Sequence, residues 1–203
     1  MLTVHHLNNS RSQRVLWLLE ELGLDYDIRF YTRNLETNLA PPELEAVHPL
    51  GKSPVLTDDD NTIIESGAII DYVLRRYGNG RLMPEPGSAS HEAYLQWLHY
   101  AEGMLMPPVN AISVETIFLP PERRNEVNVK RATKLLQRMF DGVETHLQGR
   151  EYLAGDFSAA DIMSGHSLIG AARFGVDLGD RPNLRAYLER LQARPAFQKA
   201  AAL

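Results

Sequence analysis

Apolar positions in the first third of the chain change their period several times. Leu2 to Leu7 predicts a short strand. From Ser12 to Leu22 the residues Val15, Leu16, Leu18, Leu19 and Leu22 fall on one side of a helical repeat, and Gly23 closes the pattern. Tyr26, Ile28 and Phe30 then alternate with Asp27, Arg29 and Tyr31, as in a strand. Pro41-Pro42 opens a short helical turn. Ser53 to Thr57 and Thr62 to Glu65 predict two strands paired across the polar turn Asp58-Asp59-Asp60-Asn61. Ser66 is placed to cap a helix running to about Tyr77. This order fits one small sheet with helices packed on it.

Gly78-Asn79-Gly80 stops that helix, and Pro84, Pro86 and Gly87 mark a linker. No strand pattern follows. His91 to about Glu115 reads as helix, with a kink expected at Met106-Pro107-Pro108. Pro120-Pro121-Glu122 is expected to start a helix ending near Gly149. Ser158-Ala159-Ala160-Asp161 starts another, and Pro182 and Pro195 lie near the starts of two short ones. The predicted organisation is an α/β domain over 1–78, a linker over 79–89 and an all-helical domain over 90–203.

Composition narrows the chemistry. The 203 residues carry a net charge of -5, which disfavours nucleic-acid binding through a basic surface. The chain has no cysteine, which excludes disulfides, thiolate metal sites and a protein thiol nucleophile. No segment approaches the ~20 apolar residues of a membrane span. Met1 to His6 lacks the cationic start and apolar stretch of a secretory signal, so a soluble, cytoplasmic protein is expected.

Three polar segments stand out. Asn8-Asn9-Ser10-Arg11-Ser12-Gln13-Arg14, between the first strand and helix, reads first as a helix N-cap and second, compatibly, as a site for an anion held by free N–H groups. Gly51-Lys52-Ser53-Pro54-Val55-Leu56 puts a proline at a strand start, where its missing N–H costs least. A cis bond there would expose the Ser53 backbone to an extended peptide ligand. Lys52 faces solvent or a carboxylate. Glu65-Ser66 suits the start of a helix, or the recognition of an amino acid by a carboxylate, a hydroxyl and helix amides.

Other patterns lead nowhere catalytic. His91 and His99 lie eight apart, not at the spacing of a helical zinc pair, and no Gly-x-Ser-x-Gly elbow is present. Glu20, Glu21, Asp25 and Asp27 read as a solvated face, as do Arg11 and Arg14. Trp97, Tyr100 and Met104 share a helix face, with core packing the first reading and an apolar pocket wall the second.

Taken jointly and in order, Asn9-Ser10-Arg11-Ser12-Gln13-Arg14-Val15, Gly51 to Leu56 and Ile64-Glu65-Ser66 resemble the cytosolic glutathione S-transferases. Tyr152 to Asp161 is similar to that family's helical-domain signature, with Ser158 and Asp161 as its capping box. The start of the chain looks most like a microbial, serine-type branch. The resemblance spans nearly the whole chain. It implies a thioredoxin-like domain that binds glutathione and an all-helical domain that supplies the electrophile pocket. Pro54 would be the family's cis-proline and Ser53 the residue pairing with the cysteinyl backbone. Glu65 and Ser66 would hold the γ-glutamyl end, and Lys52 the glycyl carboxylate.

In register, Asn9 stands where serine-type members carry the activating serine, and Ser10 follows one position later. Both remain candidates for stabilising the thiolate. The resemblance implies conjugation of glutathione, as co-substrate and without a metal, to a small hydrophobic electrophile. It also implies a homodimer packed between the helix at 66–77 and the long helices beyond the linker. A non-catalytic glutathione-binding scaffold is one rival. A glutathione-dependent peroxidase or isomerase is another.

Overall fold

A computed structural model describes all 203 residues. Four strands form one mixed sheet in the order β2-β1-β3-β4. β1 (Leu2–Leu7) runs parallel to β2 (Asp27–Tyr31) and antiparallel to β3 (Val55–Asp58), which pairs antiparallel with β4 (Asn61–Ile64). A parallel pair needs a crossover, and α1 (Ser12–Leu22) supplies it between β1 and β2. Gly23 ends α1 at φ 62°, a left-handed conformation that a residue without Cβ adopts freely. α2 (Ser66–Tyr77) follows β4. Val4, Val15, Leu16, Leu19, Ile69 and Val73 are fully buried and form the core between sheet and helices.

The chain divides into two compact units, Met1–Arg81 with Arg194–Leu203, and Leu82–Ala193. The last helix, α8 (Pro195–Ala201), thus belongs with the sheet, although composition assigned it to the helical domain. Its Phe197 meets Trp17 edge-on at 4.9 Å. Lys199 and Arg194 reach Glu20 and Glu21 at 2.8 and 2.6 Å. Those two glutamates are therefore docking groups, not the solvated face expected of them; Asp25 and Asp27 are exposed. Arg14 is likewise fully buried.

The second unit is helical. α3 (Ala89–Tyr100) leads into a wide π-helical turn over Ala101–Leu105, then α4 (Met106–Ser113) and a second such turn over Val114–Phe118. The irregularity lies upstream of the prolines, where the Met106 N–H bonds Ala101 O, five residues back. Pro107 and Pro108 lie in the first turn of α4, directly after the wide turn. The wide turn also shifts the helical phase. Trp97 is buried as expected, whereas Met104 is exposed.

The next long helix, α5 (Glu126–His146), does not begin at Pro120. Pro121–Arg123 forms a separate 3-10 turn, and the Asn125 side chain accepts the Val127 N–H at 2.9 Å to cap α5. α6 (Ala159–Arg173) is buried along most of its length, and α7 (Pro182–Gln192) packs against it. Asp161, at the start of α6, accepts from Ser158 N (2.9 Å), Leu153 N (3.0 Å) and the Tyr187 hydroxyl (2.9 Å). Burial raises the pKa of this carboxyl despite those bonds.

Candidate active site

Strand register gathers the three polar segments at one end of the sheet. His5 lies opposite Val55, and Val55 opposite Ile64. The chain leaving β1 at Leu7, the chain entering β3 at Val55 and the chain leaving β4 at Ile64 therefore share an edge. Asn8–Ser10, Ser53-Pro54 and Glu65-Ser66 flank it.

Asn9 occupies the left-handed region at φ 51°, which asparagine tolerates better than most residues. Its side chain is on the exposed part of the turn. Arg33 pins that turn by donating to Asn8 O (3.1 Å), Asn9 O (3.3 Å) and Asn38 O (2.9 Å), and its N–H meets Asn8 Oδ1 at 2.9 Å. Burial lowers the guanidinium pKa. Sequence reasoning did not single out Arg33, because all of its partners lie on turns remote in sequence or in backbone carbonyls.

Ser10 turns inward. Its hydroxyl lies 3.0 Å from Ser53 Oγ and 2.8 Å from Ser12 Oγ, and it accepts the Ser12 N–H at 3.2 Å. Arg11 stands at the N-cap of α1 without a side-chain cap bond, and this segment's hydroxyl contact with the helix start is the Ser10 bond to the N–H of Ser12, the first helical residue. Ser12 Oγ in turn lies 2.9 Å from His6 Nδ1 and 3.4 Å from Leu7 O. Both Ser12 and His6 are buried, and burial lowers the His6 pKa, so the imidazole is neutral near pH 7. His6 and Ser12 escaped sequence reasoning. Their six-residue separation, strand to helix, matches no local pattern.

The Ser53-Pro54 peptide is cis, and Pro54 is buried ahead of β3. Lys52 is exposed beside it. Glu65 sits at φ 71°, a conformation costing about 1–3 kcal/mol in a residue other than glycine, and its carboxylate is exposed. Ser66 does not cap α2. Glu65 takes the capping position, and Ser66 is the first helical residue, buried, with a hydroxyl that has no hydrogen-bond partner. A buried polar atom without a partner is costly, and next to the open N–H groups of a helix start it suits a bound carboxylate. Glu65 suits the neighbouring ammonium. The two residues present fit an amino-acid zwitterion.

No group of three or more metal-ligating side chains is arranged to hold an ion. No helix is long and apolar enough to cross a membrane.

The chain resembles known proteins over nearly its whole length. Residues 1–75 match the family model "Glutathione S-transferase, N-terminal domain", and residues 106–195 match "Glutathione S-transferase, C-terminal domain". The chain is 35% identical to glutathione S-transferase 3 of Schizosaccharomyces pombe, over 99% of this chain and 87% of that protein. It superposes on a crystal structure of a glutathione S-transferase from Actinobacillus pleuropneumoniae with a TM-score of 0.85 and 33% identity, covering 100% of this chain and 92% of that one. A glutathione transferase from Phanerochaete chrysosporium, solved in complex with oxidized glutathione, gives a TM-score of 0.84 at 26% identity over 99% and 94% of the two chains.

Proposed function

The chain belongs to the glutathione S-transferase family, and we propose that it is a glutathione transferase of the serine type whose Ser10 hydroxyl stabilises the glutathione thiolate. The observation that carries the assignment to Ser10 is its inward hydroxyl, 3.0 Å from Ser53 Oγ at the head of α1. Asn9 is exposed one residue earlier and engages Arg33 through its carbonyl. Ser66 and the start of α2 hold the γ-glutamyl carboxylate, Glu65 the ammonium, and Lys52 the glycyl carboxylate. The Ser53 backbone, outside the sheet ladder and next to Pro54, pairs with the cysteinyl unit.

The energies suffice. A thiol of pKa ~8.5 is only a few per cent ionised at neutral pH. Lowering that value by ~2 requires roughly 2.7 kcal/mol in favour of the anion. One hydrogen bond to a charged sulfur supplies about 1.5–3 kcal/mol, and the start of α1 adds roughly 0.3–1 kcal/mol. No protein base has to retain the proton. The thiolate then attacks an electrophilic carbon, forming a thioether and expelling the leaving group, or adding where none is present.

The electrophile is proposed to be hydrophobic, a reading supported by Met104, Val114, Ile117 and Phe118, all exposed on the two wide turns of the helical unit. The proposed assembly is a cytoplasmic homodimer. The test is thioether formation from glutathione and a halogenated nitroaromatic, followed by absorbance. Turnover above the uncatalysed rate, saturating in glutathione, is expected. Calorimetric binding of glutathione without turnover would leave a binding protein in place of an enzyme.

A further inference from the structure

The Ser10 hydroxyl has one proton and two acceptor positions. Its use as a thiolate donor depends on where that proton points. One acceptor position is taken by the Ser12 N–H, at 3.2 Å. The neighbouring hydroxyl of Ser12, at 2.8 Å, either fills the other or draws the Ser10 proton to itself. The choice is passed back to His6, because Ser12 Oγ also lies 2.9 Å from His6 Nδ1.

Two orientations of this chain are possible, and they are opposite in effect. If Nδ1 of a neutral His6 is bare, it takes the Ser12 proton. Ser12 then faces Ser10 with a lone pair and pulls the Ser10 proton away from the sulfur. If Nδ1 carries the proton, it donates to Ser12, and Ser12 donates to Ser10. Both acceptor positions of Ser10 are then filled, and its proton is left for Ser53 or for a bound thiolate. An anion at the end of the chain favours the second orientation, since each donor polarises the next. Leu7 O, at 3.4 Å from Ser12 Oγ, is a longer and weaker competitor for the Ser12 proton than Ser10.

We propose that His6 and Ser12 are positioning residues, forming a buried donor relay, His6 Nδ1–H to Ser12 Oγ–H to Ser10 Oγ–H, that aims the Ser10 proton at the glutathione sulfur. Neither touches the substrate. The proposal rests on Ser10 as the thiolate donor, as argued above. Burial of the imidazole keeps it neutral, so the relay is set by a tautomer and not by a charge.

The test uses the full-length protein saturated with glutathione. Long-range nitrogen-15 spectra, with His6 assigned by its loss in His6→Asn, report which ring nitrogen carries the proton. The relay requires Nδ1–H; an Nε2–H tautomer or an imidazolium overturns it. In parallel, thiolate absorbance against pH gives the pKa of the bound thiol. Ser12→Ala and His6→Leu should each raise it enough to leave about three- to tenfold less thiolate at neutral pH, with little change in glutathione affinity. His6→Asn keeps an amide donor close to the position of Nδ1–H and should retain most of the wild-type value.

If Ser10→Ala raises the thiol pKa while Ser12→Ala and His6→Leu leave it at the wild-type value, the relay alone is rejected. If Ser10→Ala itself changes nothing, Ser10 is not the donor, and both readings fall together. Should Ser12→Ala or His6→Leu lose its fold by circular dichroism, the wild-type tautomer still decides.

Discussion

Arg194 donates two hydrogen bonds to Glu21, at 2.6 and 2.8 Å, across 173 residues of chain. Glu21 also accepts the Trp17 indole N–H at 2.9 Å, and Phe197 packs on the same indole. α8 thereby covers the face of α1 that would otherwise leave Trp17 open. Phe197→Ala should cost about 3–5 kcal/mol, the usual loss for an aromatic removed from a core. Urea unfolding followed by far-ultraviolet circular dichroism measures it. A midpoint equal to wild type would show that α8 contributes nothing to the first unit.

Arg194 also shows where sequence reasoning stops. The period of Val15 to Leu22 and the closing Gly23 are local properties, so α1 appears in the structure with the expected bounds. The short strand at the head of the chain, and the hairpin around Asp58–Asn61, are legible for the same reason. Glu20 and Glu21 carry no comparable signal. Charged residues on a helix are usually solvated, and nothing local announces that Lys199 and Arg194 will return to meet them. Ser66 was expected to cap because serine often does. What displaces it is the φ of 71° at Glu65, a tertiary property that moves the capping position one residue back. The three polar segments were legible as candidates. Their meeting at one sheet edge is a consequence of register, and the inward turn of Ser10 a consequence of Ser12 and His6.

The unpartnered hydroxyl of Ser66 gives an asymmetric prediction. Without ligand, Ser66→Ala removes an unsatisfied buried group and should leave the melting temperature equal or slightly higher. With glutathione, the same variant lacks a hydrogen bond to a carboxylate worth about 1.5–3 kcal/mol, a roughly ten- to hundredfold weaker Kd. Glu65→Ala should also weaken binding strongly. Calorimetry and thermal denaturation on each variant check both halves, and unaltered affinity in Ser66→Ala would remove that hydroxyl from the site.

Ser10 and Asn9 separate by kinetics. Ser10→Ala should lower kcat more than tenfold, since about 1.5–3 kcal/mol of anion stabilisation is lost, while glutathione KM changes little. Asn9→Ala should retain most of the turnover. Steady-state rates with a nitroaromatic halide decide between them. The opposite ranking would transfer the donor role to Asn9.

Asp161 holds the start of α6 and the hydroxyl of Tyr187 at once. Asp161→Ala strands Ser158 N, Leu153 N and that hydroxyl in a buried place. Each unsatisfied group costs about 1–3 kcal/mol, so a loss of at least about 3 kcal/mol is expected. Tyr187→Phe removes one partner and leaves the carboxylate its backbone donors, and should cost less. Denaturant midpoints for the pair test this ordering, and equal losses would refute it.

His5 and His6 are adjacent on β1, and both are buried. Burial lowers the pKa of each below the ordinary 6.5, and the Arg29 charge lowers that of His5 further. The sign follows from the unfolded chain, where both imidazoles titrate near 6.5. Above that pH neither state binds the protons, and the histidines contribute no pH dependence. Below it the unfolded chain takes up protons that the folded one refuses. Stability therefore falls as the pH drops from about 6.5 toward the folded values, by at most about 1.4 kcal/mol per pH unit for each histidine. His6→Asn, which cannot titrate, should flatten the slope between pH 6.5 and 5 by up to that amount relative to wild type. Guanidinium unfolding at several pH values gives the difference directly. A parallel slope in the variant would mean that His6 takes up its proton equally well folded and unfolded, and would refute the depressed pKa of the buried imidazole.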